Sequence, residues 1–255
     1  MNENNYGDAL VSVIMPAYNC ECFIEEAIRS VMAQTYPNWE LIVINDCSQD
    51  KTGDVVGRLM QEDTRIRLYE NECNLGAARS RNRGFELCNG QCVAFLDSDD
   101  LWLPEKLQVQ LQQMQKENAD LCYTTYEIID QFGEKVKKDY IVPARLTYEE
   151  LLKENVIGCS TVLFSRSILN GEGFTTDFYH EDYVLWLRLL RQGCTAVGCT
   201  QALVKWRFIA NSRSYDKRKS AGNRWRIYRE YLRLSVFKSL QLFSVYALRG
   251  LKKYF

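Results

Sequence analysis

At 255 residues, 46% of them apolar, with a formal net charge of −1, the chain has enough material for one large core and is too hydrophobic to be disordered; no nucleic acid polymer is expected as a partner. The charge is unevenly placed: from Gln201 onward there are 14 Lys/Arg against 2 Asp/Glu, and before it 18 against 31, so a body of −13 carries a tail of +12 suited to an anionic surface or to phosphates. The ten cysteines are scattered without paired CxxC units, Cys20-Glu-Cys22 is too tight for zinc, and the single histidine, His180, excludes a His-rich metal site.

The first residues, MNENNYGDALVSVIMPAYN, lack a basic segment ahead of an apolar one, so no signal peptide is expected. Strand-length apolar runs follow at Val11–Met15, Leu41–Asn45, Ile66–Tyr69 and Cys92–Leu96. Between and after them, Ile24–Ala33, Thr52–Gln61, Ala77–Leu87 and Glu105–Lys116 carry helical periodicity. Four β-α repeats predict a Rossmann-like, mostly parallel sheet with right-handed crossovers, and such sheets bind ligands beyond the carboxyl ends of their strands. Polar clusters fall at three of those ends: Pro16-Ala-Tyr-Asn19, Asp46-Cys-Ser-Gln-Asp50 and Asp97-Ser-Asp-Asp100.

Past Lys116 the pattern becomes mixed. A hairpin is expected over Leu121–Asp130 and Glu134–Val142, then a short helix at Tyr148–Lys153, a strand at Ser160–Phe164 and a helix at Asp182–Arg191. The expected division is one domain over 1–222, with a parallel half at about 10–117 and a mixed half at about 118–222, followed by a basic amphipathic helical tail over 223–255. In that tail Lys238, Gln241 and Arg249 interrupt the best candidate for a membrane span, so the expected location is the cytoplasm, with the tail peripheral on the inner face of the cell membrane.

The carboxylates Asp97, Asp99 and Asp100 need compensation. One could cap the helix after Pro104, but three are more than a cap needs. An EF-hand would want Gly and Glu where Trp102 and Gln108 stand. A phosphatase-type nucleophile is chemically open, and a divalent cation held by one or two carboxylates with phosphate oxygens is the stronger reading. No dinucleotide fingerprint is formed by Gly76 and Gly84, which argues against a dehydrogenase.

In order along the chain, VSVIMPAYNCECFIEEAIRSVMAQTYPNWELIVINDCSQDKT, NLGAARSRNRG, FLDSDDLW and HEDYVLWLRLL resemble the motifs of family-2 glycosyltransferases with the GT-A fold, of the bacterial surface-polysaccharide type, over about Val11 to Arg207. The resemblance implies inverting transfer from a UDP-sugar to a saccharide or polyprenyl-pyrophosphate-linked acceptor, with Mn²⁺ or Mg²⁺. It places Pro16, Ala17 and Tyr18 beside the uridine, gives Asp46 a hydrogen bond from the uracil, and adds Arg81 and Ser98 to the nucleotide-sugar site. Asp97 goes to ribose or metal and Asp99 to metal. Asp100 contacts the donor sugar or caps the next helix. Asp182 becomes the base, with Glu181 as neighbour or substitute. Two departures stand out. Asn45 and Cys47 interrupt the usual Asp-Asp-Gly-Ser, and KWRFIANSRS lacks the histidine of many relatives, leaving Arg207 or Arg213 to pair with phosphate. The competing functional classes are a sugar-nucleotide hydrolase, a pyrophosphorylase and a non-catalytic sugar-nucleotide-binding homologue.

Overall fold

A computed structural model describes residues 6–209 and 217–252. Arg213 and Lys253 lie outside the described residues. The parallel half runs β1 Val11–Ala17, α1 Ile24–Met32, β2 Trp39–Asn45, α2 Thr52–Glu62, β3 Ile66–Glu70, α3 Ala77–Leu87 and β4 Cys92–Phe95, which follows the predicted β-α repeats closely. After it come β5 Leu101–Trp102, α4 Lys106–Glu117, β6 Leu121–Ile129, β7 Lys135–Tyr140, β8 Arg145–Leu146 and α5 Tyr148–Lys153. The chain continues through β9 Leu163–Ser165, α6 Glu181–Arg191, β10 Ala196–Arg207, α7 Lys217–Arg226 and α8 Val236–Lys252.

One sheet runs in the order β3-β2-β1-β4-β9-β6-β10-β5, with β7 beside β6 and β8 beside β10. Strands β3, β2, β1 and β4 are parallel, β9 is antiparallel to both its neighbours, and β6 and β10 are again parallel to each other. Strand β2 is buried along its whole length because both faces are covered, as a run such as Leu41-Ile-Val-Ile44 requires. Helices α1, α2 and α4 pack their apolar faces on one side. On the other side α5, α6, which contributes Trp186, and the C-terminal helices close over Phe95 and Phe164.

Helix α3 comes unusually close to β1. A Cβ on Gly84 would stand 2.4 Å from Ile14 Cγ2, so glycine here permits the contact. Asn82 on the same helix holds the loop before α6, donating to the Phe174 carbonyl at 2.8 Å and accepting its amide at 2.7 Å.

Two expectations need correction. The strand expected at Ser160–Phe164 begins only at Leu163, because Cys159–Thr161 forms a 3₁₀ turn. Ser160 and Thr161 spend their hydroxyls on Asp100 and on the Gly158 carbonyl, and such local bonds compete with a sheet ladder. The long strand β10 was not foreseen at all. Its register against β6 shifts between Cys199 and Ala202 and again before Val204, and these irregularities break the alternation by which a strand is recognised.

The C-terminal segment packs on the domain. Ile227, Tyr228, Leu232 and Leu242 are buried in the second core, and Tyr228 donates to the Leu152 carbonyl at 2.6 Å. Buried Arg224 lies 3.7 Å over the Tyr183 ring. The chain breaks between the two last helices through Arg233, whose φ is +53°. No helix among the described residues is long and apolar enough to cross a membrane.

Candidate active site

The carboxyl ends of β1, β2 and β4 converge as the strand order requires. Pro16, Ala17, Tyr18, Asp46, Arg81, Asp97, Ser98 and Asp99 line one cavity of about 490 Å³. A second, of about 290 Å³, is lined by Arg81, Asp97, Asp99, Glu181 and Asp182 together with residues of the 3₁₀ turn and β10. Arg81, Asp97 and Asp99 belong to both, so the two cavities adjoin at these residues.

On the side of the larger cavity, Tyr18 is about half exposed, as a stacking platform would have to be. Asp46 is buried and already engaged: it accepts from Asn71 Nδ2 at 2.7 Å, the Leu75 amide at 2.8 Å and the Gly76 amide at 2.7 Å. Its carboxylate therefore ties down the loop that launches α3, leaving about one of its roughly four lone-pair directions for a further donor. The departures from Asp-Asp-Gly-Ser have local explanations. Asn45 donates to Glu70 Oε1 at 3.0 Å, where an aspartate would set two carboxylates against each other. Cys47 has φ +62°, the left-handed region in which the usual glycine is unstrained.

Arg81 is the buried member of the arginine-rich helix, while Arg79 is exposed and Arg83 holds the Glu70 carbonyl and Asn71. Its guanidinium bridges Asp97 at 2.6 Å and Glu181 at 2.9 Å, linking β4 to the start of α6. The Asp97 amide in turn donates to Ser160 Oγ. Burial, then the charge of Asp97, raises the Asp99 carboxyl to about 6.

Asp100 takes no part in lining either cavity and caps no helix. It is buried, accepting the Ser160 hydroxyl at 2.5 Å and the Arg207 amide at 2.9 Å. Burial, then Asp99 and Asp97, pushes its carboxyl well above the ordinary value. Arg207 touches the edge of the smaller cavity, but its side chain is committed: Nε donates to the Asp99 carbonyl at 2.8 Å, a terminal nitrogen to the Gln131 carbonyl at 3.0 Å, and the other to Glu26 at 2.8 Å. It fastens the Asp99 turn to the β6–β7 hairpin, so the phosphate-pairing role is not the one its contacts support. Where a histidine was missing from the sequence pattern, Ile209 lines the larger cavity.

Glu181 and Asp182 open α6, where acidic side chains suit the helix dipole. Their environments differ. Glu181 is buried on Arg81, whereas Asp182 accepts the Tyr183 amide at 2.7 Å, and burial followed by the Glu181 charge raises it to about 6. Sequence reasoning did not single out Gly158, Cys159, Tyr179 or Trp206 as lining residues. The signal was weak, since the 3₁₀ turn and β10 that present two of them were themselves misread.

Among the described residues no group of three or more His, Cys, Asp or Glu side chains could hold a metal unaided. Asp97 and Asp99 offer hard oxygen ligands two residues apart on the wall shared by both cavities, a donor set that suits a Mg²⁺- or Mn²⁺-type ion sharing them with phosphate oxygens.

A family model described as Glycosyl transferase family 2 matches residues 12–171. The chain belongs to that family. WfgD of Escherichia coli, named as a UDP-Glc:alpha-D-GlcNAc-diphosphoundecaprenol beta-1,3-glucosyltransferase, is 39% identical to this glycosyltransferase over 249 residues, covering 97% of this chain and 96% of its own. TuaG of Bacillus subtilis (strain 168), whose name carries teichuronic acid biosynthesis, is 39% identical over 244 residues, covering 96% and 97%. Among solved structures, S. aureus TarS 1-349 in complex with UDP-GlcNAc matches with a TM-score of 0.74 at 19% identity, over 93% of this chain and 71% of that one. The mannosyltransferase PcManGT from Pyrobaculum calidifontis, in complex with GDP-Man and Mn2+, matches at 0.70 and 18% identity, over 89% and 65%. At such identities the likeness establishes the fold, which is GT-A, as the sequence motifs implied.

Proposed function

We propose that this glycosyltransferase moves a sugar from a UDP-sugar, with inversion, to a hydroxyl of a saccharide carried on a polyprenyl diphosphate, in the assembly of a bacterial surface polysaccharide such as O-antigen or capsule. The observation that carries the reading is the junction of two cavities at Arg81, Asp97 and Asp99, with Asp182 held near pH 6 in the second. The larger cavity takes the nucleotide, Tyr18 against the base and Asp97 and Ser98 toward ribose and diphosphate. Asp99 and Asp97 would hold Mn²⁺ or Mg²⁺. Bound there, the ion would neutralise the donor diphosphate and the departing UDP. Asp182 takes the acceptor proton, since single displacement needs a base on the face opposite the leaving group. Glu181, paired with Arg81, orients that guanidinium. The donor and acceptor classes rest on WfgD's printed activity and on the UDP-GlcNAc complex of TarS.

Calorimetry with UDP, with and without Mn²⁺, tests the donor side. Binding should weaken at least tenfold in EDTA and in Asp99→Ala; equal affinity in all three conditions would sink the metal role.

A second element of the reading is that the C-terminal helix meets an anionic membrane surface. It is favoured by the exposure of Phe237, at 81%, in line with Leu240 and Leu248 on a basic segment. This would confine the enzyme to the leaflet that presents its acceptor, at the inner face of the cell membrane.

A further inference from the structure

We propose that Trp206 is the platform on which the acceptor sugar ring lies, making the smaller cavity a saccharide subsite whose selectivity is set by an aromatic face. The inference deepens the function proposed above and rests on reading that cavity as the acceptor side. Trp206 sits near the end of β10, half-buried, and lines the same cavity as Asp182 and Asp99. The indole is braced by other rings. Tyr126 meets it at 6.3 Å and 63°, Phe208 at 6.2 Å and 59°, and Tyr126 is itself stacked on Tyr140 at 5.0 Å. Neither neighbour is stacked parallel against the indole, and the ring is fixed without being enclosed.

The chemistry of such a wall is selective. A pyranose presents axial C–H bonds with partial positive charge on one face and hydroxyls around its rim, while an aromatic face is the negative end of a quadrupole. Stacking the C–H face on Trp206 directs the rim hydroxyls at the cavity's polar residues, Asp182 among them, which is the placement a base needs. Tyr179 lines the same cavity, its amide held by Asn223 at 2.9 Å, and Lys219 of α7 lies 4.4 Å over its ring, which sets a cation beside that wall where an anionic aglycone would be favoured. A saccharide with a diphosphate at its reducing end fits both features.

The test uses Trp206→Ala and Trp206→Phe in the full chain, with a water-soluble N-acetylglucosaminyl diphosphate bearing a short alkyl chain as acceptor probe. UDP affinity by calorimetry should stay within twofold in both variants. The acceptor KM should rise at least tenfold in Trp206→Ala, with kcat lowered as well because the hydroxyl is no longer oriented, and by no more than about threefold in Trp206→Phe. Because the chain has five tryptophans, 5-fluorotryptophan labelling gives a readout independent of turnover. The fluorine resonance missing from Trp206→Phe identifies residue 206; it should shift on adding the probe. An unchanged acceptor KM in Trp206→Ala, an unmoved resonance, or a parallel collapse of UDP affinity would each overturn the platform. Failure of the wider functional reading looks different: the parental protein would then not bind UDP, while the fluorine titration would still report whether Trp206 meets a saccharide.

Discussion

Glu181 gives its charge to Arg81 at 2.9 Å, while Asp182, one residue later, is raised to about 6 by burial and by Glu181 itself. A base with that pKa is ionised at pH 7 and mostly protonated at pH 5. Turnover at saturating substrates should therefore fall about tenfold per pH unit below 6. Asp99 is also raised to about 6, and the two limbs can be separated: extra Mn²⁺ competes with protons for Asp99 and should move its limb to lower pH, leaving that of Asp182 in place. Asp182→Asn keeps the size, cannot accept the proton, and should lower kcat by ~10²–10⁴ with UDP affinity nearly intact. A variant turning over at the parental rate would exclude Asp182 as base. Conformation gives a second expectation at this scale. With φ at +62°, Cys47 carries strain that glycine would relieve, offset by glycine's greater freedom when unfolded. Cys47→Gly should stabilise the protein by about 0.5–1 kcal/mol, read as a higher urea midpoint at unchanged m-value.

At the level of elements, α3 delivers Arg81 to the junction of the cavities, and its seat on β1 depends on Gly84. Because Ile14 is fully buried, it has little room to retreat from a new methyl group. Gly84→Ala should cost about 1–3 kcal/mol by overpacking and lower the thermal midpoint by several degrees. Since the helix must shift, UDP affinity should fall as well; an alanine variant as stable as the parent would show that α3 is not pinned there. Such close packing is invisible in a single sequence, although the helix itself was plain from its periodicity. The parallel half was legible for the same reason: Leu41–Ile44 and Cys92–Leu96 are unbroken apolar runs between amphipathic segments. The mixed half was less legible because its determinants are side-chain bonds and register irregularities. Ser160 leaves the strand pattern to serve Asp97 and Asp100, and β10 is interrupted before it delivers Trp206 and Arg207. Charge alone also misled at Arg207, whose guanidinium is used up by the Asp99 and Gln131 carbonyls and Glu26.

Across the whole molecule, the surplus of cations after Gln201 is smaller in effect than its count. Arg224 is buried against Tyr183, Arg226 pairs with Glu230 at 2.9 Å, Arg229 donates to the Leu234 carbonyl, and Arg249 pairs with Glu154 at 3.0 Å. What faces outward on α8 is more apolar than the composition suggests. Phe237, Leu240 and Leu248 follow one another at helical spacing, with exposed Arg233 and half-buried Lys238 beside the stripe. Each cation near an anionic leaflet contributes about 1 kcal/mol, screened by salt, whereas burying one phenylalanine contributes about 1.5–3 kcal/mol and is not screened. Binding to vesicles containing phosphatidylglycerol should therefore be only partly reversed by 0.5 M salt. Truncating the tail is a poor test, because Leu232 and Leu242 belong to the core. Phe237→Ser with Leu240→Ser removes two exposed apolar groups instead and should leave the thermal midpoint and UDP affinity unchanged. Vesicle sedimentation of that variant should fall by more than tenfold, and transfer to a vesicle-embedded polyprenyl-linked acceptor should slow far more than transfer to a soluble one. If the parental protein does not sediment with anionic vesicles at low salt, the stripe belongs to another contact. If both variant and parent sediment equally, the attraction comes from the cations alone.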